Sequence, residues 1–168
     1  MEKYVVDANG IRYELGRLIG KGGQGSVYAV KNCRLAVKIV DQPSARKAEM
    51  LRNRLTRVRL MPLKEIPITR PLEMLREPHL GYVMELLEDV KPLQWLAKPA
   101  EGMQNTARWY LETGGLRRRL RILAETARIL ATLHSKGIIY SDPSLQNVCF
   151  SESAVDDDVW LLDADNLC

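Results

Sequence analysis

Eight residues, GKGGQGSV from Gly20 to Val27, place the tightest constraint on the fold. The four glycines carry no Cβ, so a ligand could approach the backbone closely here. The run that follows, Ser26-Val27-Tyr28-Ala29-Val30, is rich in β-branched and aromatic residues, as strands are. Residues 12–30 therefore read as strand, glycine turn, strand. Two common phosphate loops are excluded. A dinucleotide fingerprint needs a helix straight after its last glycine, and a Walker A loop ends in Gly-Lys-Ser/Thr. Here Gly25-Ser26-Val27 leads into a strand. A glycine-rich hairpin remains, either cradling phosphate or serving as a flexible β-turn.

The pattern beyond the hairpin alternates between strand and helix. RLAVKIV, 34–40, reads as a third strand. Pro43 and Ser44 open a helix with Ser44 as N-cap. Leu51, Leu55 and Val58 mark its inner face, and Pro62 ends it. Prolines break residues 63–80, where Ile68–Leu75 has room for a strand. GYVMELL, 81–87, has the length of a buried strand. Residues 88–115 read as irregular apart from a short helix near Leu93–Lys98, with a break at Gly114-Gly115. Leu116, Leu120, Leu123, Ala127, Leu130 and Leu133 then define the longest helix, with Gly137 at its C-cap. VCF and VWLL read as two short strands around the polar turn SESAVDDD. These elements make an α+β chain.

Lys38 sits inside AVKIV, where an ammonium needs a partner or ligand to neutralise it. Strand alternation puts Val37 and Ile39 on the opposite side. Lys38 and the glycine hairpin occupy adjacent strands and could share one phosphate. Glu49, in the following helix, is the natural carboxylate to orient Lys38; Glu65, beyond Pro62, is the alternative. A lysine snorkelling from an edge strand is the structural reading. Downstream, YSDPSLQNVCF holds Asp142 and Asn147 five positions apart. Alone, that pair could be an ordinary polar turn.

Composition removes several function classes. No apolar run approaches the ~20 residues of a membrane span, and MEKYVVDANGIRYELG has no signal-peptide core, so a cytoplasmic setting is expected. Cys33, Cys149 and Cys168 are scattered, without metal or disulfide spacing, and fit a reducing compartment. His79 and His134 lack neighbours at metal spacing. Trp95, Trp109 and Trp160 read as packing residues, and Asp156–Asp158 as a solvated turn. The net charge of +4 is concentrated in Arg46, Lys47, Arg52, Arg54, Arg57 and Arg59, and again in Arg117, Arg118, Arg119 and Arg121. Solvated helix faces are the plain reading of both runs. A basic surface for nucleic acid or an acidic partner is the sharper one, weakened because neither run contains an aromatic residue.

Three pieces stand in one order: GKGGQGSV, AVKIV, then DPSLQN followed by LLDAD. Together they resemble the protein-kinase superfamily from about Tyr13 to Asp165, and look most like a divergent bacterial branch. The resemblance implies a β-rich lobe over residues 1–87 and the start of a helical lobe over 88–168. It implies ATP and Mg²⁺ as cofactors and a protein Ser/Thr hydroxyl as phosphoryl acceptor, with no nucleic-acid partner. Gly20, Gly22, Gly23 and Gly25 would cover the ATP phosphates, with Val27 and Ala36 lining the nucleotide site. Lys38 would bind the α- and β-phosphates, held by Glu49. Met84 would be the gatekeeper, and Glu85, Leu86 and Leu87 the hinge that bonds adenine through its backbone. Asp142 would accept or orient the substrate proton, and Asn147 and Asp163 would hold Mg²⁺.

The departures from the family pattern are specific. Tyr140-Ser141-Asp142 replaces His-Arg-Asp, which implies the loss of control through a phosphorylated activation loop. Ser144 replaces Lys, as in RIO-type kinases. Asp163-Ala164-Asp165 replaces Asp-Phe-Gly, which argues against switching by a flip of that segment. With Cys168 as the last residue, the chain is expected to be part of a longer protein, its 116–133 helix short of packing. A non-catalytic pseudokinase and a kinase-fold small-molecule phosphotransferase are the alternative functions.

Overall fold

The computed structural model describes residues 4–23, 25–41, 44–153 and 156–168. The chain divides into two units, Met1–Met61 with Arg70–Leu87, and Pro62–Thr69 with Glu88–Cys168. Its class is α+β, with a curled antiparallel sheet of kinase-like form in the first unit.

The first unit holds β1 (Tyr4–Val6), β2 (Arg12–Gly22), β3 (Gly25–Val30), β4 (Leu35–Val40), α1 (Ala45–Leu60), β5 (Glu73–Met74) and β6 (Gly81–Glu85). The strand order is β1-β2-β3-β4-β6-β5. The sheet curls until its edges meet, with Asp7 bridging Leu75, Ala8 N–H donating to Met74 and Arg76 N–H to Val6. That closure leaves no open edge at the seam for another chain to join. Side-chain alternation sorts β4 as expected. Val37 and Ile39 pack with Val5, Val30, Leu75 and Val83, while Ala36 packs on the other face with Leu55, Tyr82 and Met84. Helix α1 covers that second face through Leu51 and Leu55, and also buries Val58. Ser44 is its N-cap, though its side chain makes no capping bond; Pro43 lies outside the described residues.

The second unit holds β7 (Val90–Pro92), α2 (Gln94–Ala97), α3 (Thr106–Glu112), α4 (Gly115–Ser135), β8 (Val148–Ser151) and β9 (Val159–Leu161). The three strands form one sheet in the order β7-β8-β9. Residues 66–69 run beside β9, where Thr69 N–H donates to Leu161 and Leu161 N–H to Pro67, both at 2.9 Å. β1, β7 and α3 fall where the sequence pattern gives no element, since each is short and presents no complete apolar face.

Helix α4 corrects the sequence reading of its inner face. Its buried residues are Arg118, Ile122, Thr126, Ile129 and Leu133. Leu116, Leu120 and Leu123 are instead 60%, 56% and 51% exposed. The true inner stripe is disguised because two of its five members are polar. Arg118 Nη2 donates to the carbonyls of Ser151 at 2.8 Å and Ser153 at 2.6 Å, and its guanidinium lies 5.3 Å from the centre of the Phe150 ring. Thr126 satisfies its hydroxyl on Ile122 O.

The second basic run is accordingly not a plain solvated face, while the run on α1 is largely exposed. Arg118 also pairs with Asp157 at 3.6 Å, so part of the acidic turn is an internal counterion. Arg119 donates to Leu96 O, Gly115 O and Thr113 Oγ1. On α1, Arg52 pairs with Glu77 and Arg59 with Glu73. No helix of the described residues is long and apolar enough to cross a membrane.

Candidate functional site

The candidate residues fall in both units, and each set has its own local geometry. In the first unit, β2 and β3 form the hairpin that carries the glycines, with Gly22 opposite Gly25. The glycines differ in kind. A Cβ on Gly20, Gly22 or Gly23 would meet nothing within 4 Å, whereas on Gly25 it would fall 2.1 Å from Ile39 O. Three of the four thus leave open space beside the backbone, and the fourth is required by strand pairing. Gln24 lies outside the described residues.

Lys38 is only 4% exposed. It lies between Val27 of β3 and Tyr82 of β6, with Nζ 5.9 Å from the Tyr82 ring centre. Val27, Ala36, Met84 and Leu86 belong to the apolar cluster on the same face. A flat apolar ring and an anionic group could thus be held along one strip of sheet. Gly81 brings β6 close enough for this, because a Cβ there would lie 1.9 Å from Lys38 O. The sequence marks Gly81 only as the start of a strand; its closeness to Lys38 depends on a partner strand far away in the chain.

Glu49 is exposed and makes no hydrogen bond or ion pair among the described residues. The reason is angular. The inner face of α1 passes through Ala48, Leu51 and Leu55, and each step along a helix turns about 100°, so Glu49 stands well round from Ala48. Glu65 is exposed too.

Of the hinge residues, Leu86 donates its N–H to Arg34 O at 3.1 Å. Peptide groups alternate in direction along an antiparallel ladder, so those of Glu85, opposite Leu35, point away from β4. β5 pairs only as far as Val83. Among Glu85, Leu86 and Leu87, the Leu86 N–H is therefore already committed.

In the second unit, α4 ends at Ser135 and the chain turns through Tyr140 into the loop 141–147. The loop is pinned by Ser144 N–H to Asp142 O at 2.9 Å and Asn147 N–H to Ser144 O at 3.0 Å. These bonds fold the five-residue interval so that Asn147 Nδ2 donates to Asp142 Oδ2 at 2.8 Å. The bond orients the carboxylate and leaves Asn147 Oδ1, a hard oxygen, without a hydrogen bond among the described residues. β9 then delivers Asp163, half-buried and in left-handed conformation at φ 55 and ψ 57. Leu162 N–H donates to Asn147 O at 2.7 Å, tying the approach to Asp163 to the loop.

Tyr140 is the residue whose role the sequence understates. It is 4% exposed, and its hydroxyl donates to Leu162 O at 2.6 Å. Burial, then the carboxylates of Asp163, Asp142 and Asp165, push its pKa well above the ordinary tyrosine value. It remains a neutral donor at all physiological pH. Burial also raises the Cys149 thiol to about 11, so this cysteine is an inert core residue. Among the described residues, no group of three or more His, Cys, Asp or Glu could hold a metal ion.

No family model matches the chain. It is 26% identical over 149 residues to CBL-interacting protein kinase 14 and CBL-interacting protein kinase 15, both of Oryza sativa subsp. japonica. Each match covers 84% of this chain and 31% of the relative. The chain thus spans about a third of the length of these relatives. This weak likeness points to the protein-kinase superfamily and, at that coarse level, to a phosphotransferase. It carries no information on a bacterial origin.

Proposed function

We propose that the chain is the nucleotide-binding and catalytic portion of a protein kinase that transfers the γ-phosphoryl group of ATP to protein Ser/Thr hydroxyls. In this reading residues 1–87 hold the nucleotide and residues 88–168 begin the catalytic lobe. The observation that carries it is the loop geometry: Asp142 and Asn147 lie side by side through one side-chain bond, with Asn147 Oδ1 left over.

The roles follow from chemistry. The apolar strip of Val27, Ala36, Met84 and Leu86 receives adenine, and the outward peptide groups of Glu85 fix its edge. Lys38 neutralises the α- and β-phosphates, and the open flank of Gly20, Gly22 and Gly23 admits them to the backbone. Asp142 takes the proton of the attacking hydroxyl as its oxygen bonds to the γ-phosphorus and the bond to the β-phosphate oxygen breaks, releasing ADP. Asn147 Oδ1 and the Asp163 carboxylate are hard oxygen donors that fit Mg²⁺, which commonly takes one or two carboxylates and completes its shell with phosphates and water. When bound, Mg²⁺ supplies charge neutralisation of the transferring phosphoryl group.

One observation favours a second reading. Glu49 makes no pair with Lys38, as suits a pseudokinase that binds nucleotide without turnover. Full-length protein incubated with radiolabelled ATP, Mg²⁺ and a protein lysate separates the readings. Phosphoprotein formation lost on Asp163→Ala and on Lys38→Met is the expected result. Nucleotide binding without any transfer would establish the pseudokinase, and label on small molecules alone would redirect the substrate class.

A further inference from the structure

We propose that Tyr140 is a positioning residue for the cation-binding pair Asn147 and Asp163, acting through its hydroxyl rather than its ring. The inference rests on the reading of those two residues as ligands of Mg²⁺. The hydroxyl reaches both of their backbones. It donates to Leu162 O, immediately before Asp163, at 2.6 Å, and lies 3.4 Å from Asn147 O. Leu162 N–H to Asn147 O, at 2.7 Å, closes the triangle. One buried group thus fixes the separation of the two peptides that carry the two side chains.

Asp163 needs this support. Its left-handed backbone conformation carries some strain for a residue with a Cβ, less for Asp than for most, and bonds on both sides hold it there. The far side of Asp163 is held by a short ladder. Ile139 N–H donates to Cys168 O at 2.7 Å, Cys168 N–H to Ile139 O at 3.0 Å, and Ser141 N–H to Asn166 O at 3.2 Å. On the near side, the Tyr140 hydroxyl is the side-chain donor to the peptide leading into Asp163. Removing it leaves the Leu162 carbonyl without that donor and frees the peptide to rotate. Groups that orient metal ligands from outside the first coordination sphere typically change metal affinity ~10–100-fold when removed.

The test is Tyr140→Phe, which keeps the ring and deletes the hydroxyl. Mn²⁺ binding to the full-length protein is titrated by electron paramagnetic resonance in the presence of a non-hydrolysable ATP analogue. Metal-free nucleotide affinity is measured in parallel. We expect Mn²⁺ affinity to fall about tenfold, with metal-free nucleotide binding unchanged. Wild-type Mn²⁺ affinity in Tyr140→Phe, alongside lost affinity in Asn147→Ala and Asp163→Ala, would overturn the proposal and leave the ligand reading intact. Unchanged affinity in Asn147→Ala and Asp163→Ala would overturn the ligand reading and this inference with it. If Tyr140→Phe does not fold, 3-fluorotyrosine at position 140 keeps ring and hydroxyl while making the hydroxyl a stronger donor. A change in Mn²⁺ affinity beyond twofold would then support the proposal, and no change would overturn it.

Discussion

Asp7 is fully buried, and its carboxylate accepts three hydrogen bonds: Asn9 N–H at 2.9 Å, Ile11 N–H at 2.8 Å and the Tyr13 hydroxyl at 2.8 Å. It closes the turn between β1 and β2 at the sheet's seam, and β2 runs on into the glycine hairpin. Hydrogen bonds to a charged group contribute ~1.5–3 kcal/mol each, so three give an upper bound near 5–9 kcal/mol. Asn9 and Ile11 are exposed, so water can replace the lost acceptor at both amides. Asp7→Ala should therefore cost only about 2–4 kcal/mol. Asp7→Asn should cost about 1 kcal/mol. Its oxygen keeps both amide bonds, and the Tyr13 hydroxyl can turn to accept from the new NH₂. The difference of ~2 kcal/mol is roughly 30-fold in the opening equilibrium. Tryptophan fluorescence would miss it, because Trp95, Trp109 and Trp160 all lie in the second unit. The suitable assay is amide hydrogen exchange of Tyr4–Val6 and Arg12–Glu14 in mild urea. Equal loss of protection in the two variants, or none in either, would refute the argument.

Three further outcomes can be checked. Stability should fall on the alkaline side: burial and then Asp7 raise Tyr13 from 10.0 to about 12, and burial raises Cys149 from 9.0 to about 11. Each raised group contributes stability fully below its unfolded pKa and loses it as pH climbs through the folded one. The midpoint temperature should thus be flat to pH 9 and drop between about pH 9 and 12, less steeply in Tyr13→Phe. Arg118→Met should cost about 2–4 kcal/mol by stripping the donor from Ser151 and Ser153 and leaving Asp157 with Arg121 as its partner at 3.4 Å, read by the fluorescence of Trp160 during urea unfolding. Gly81→Ala should weaken nucleotide binding and lower the melting temperature together, since its Cβ would fall 1.9 Å from Lys38 O; the same change at Gly20, where nothing lies within 4 Å, should leave stability near wild type.

The parts of the fold legible in the sequence are those whose signal is local. The strand–glycine–strand of residues 12–30 and the Lys38 strand carry their own alternation, and α1 its own apolar face. The face of α4 is misread because a leucine stripe and the buried stripe compete. The winner is set by Arg118 finding two carbonyls and Asp157 some 33 to 39 positions away in the chain. In the candidate site, Asp142 and Asn147 are legible because the loop between them is short enough to bring them together. Glu49 shows the limit of counting positions: the spacing to Lys38 gives reach, while the angle around the helix decides direction. Asp7 and Gly81 carry no periodic signal, since each matters through one strand that arrives from elsewhere.

Three of the residues that depart from the kinase pattern, Tyr140, Ala164 and Asp165, are built into the interior of the second unit, while Ser141 and Ser144 are exposed. Tyr140 is buried and bonded, Ala164 is 0% exposed and Asp165 4%. The backbone of Ser144 makes both turn bonds of the loop, and Leu167 N–H donates to Ala164 O at 3.1 Å. Such positions have low tolerance for an alternative arrangement, because each would leave a polar group unpaired or a packed methyl in water. A flip of Asp163 would break the Tyr140–Leu162 bond and the ladder between 139–141 and 166–168 together. At ~0.5–1.5 kcal/mol per neutral bond, the four backbone and hydroxyl bonds sum to ~2–6 kcal/mol, enough to keep the flipped state to about three per cent or less. Under the proposed function, control of phosphoryl transfer would then act elsewhere than on Asp163, either through access of the nucleotide to Lys38 or through access of the acceptor to Asp142.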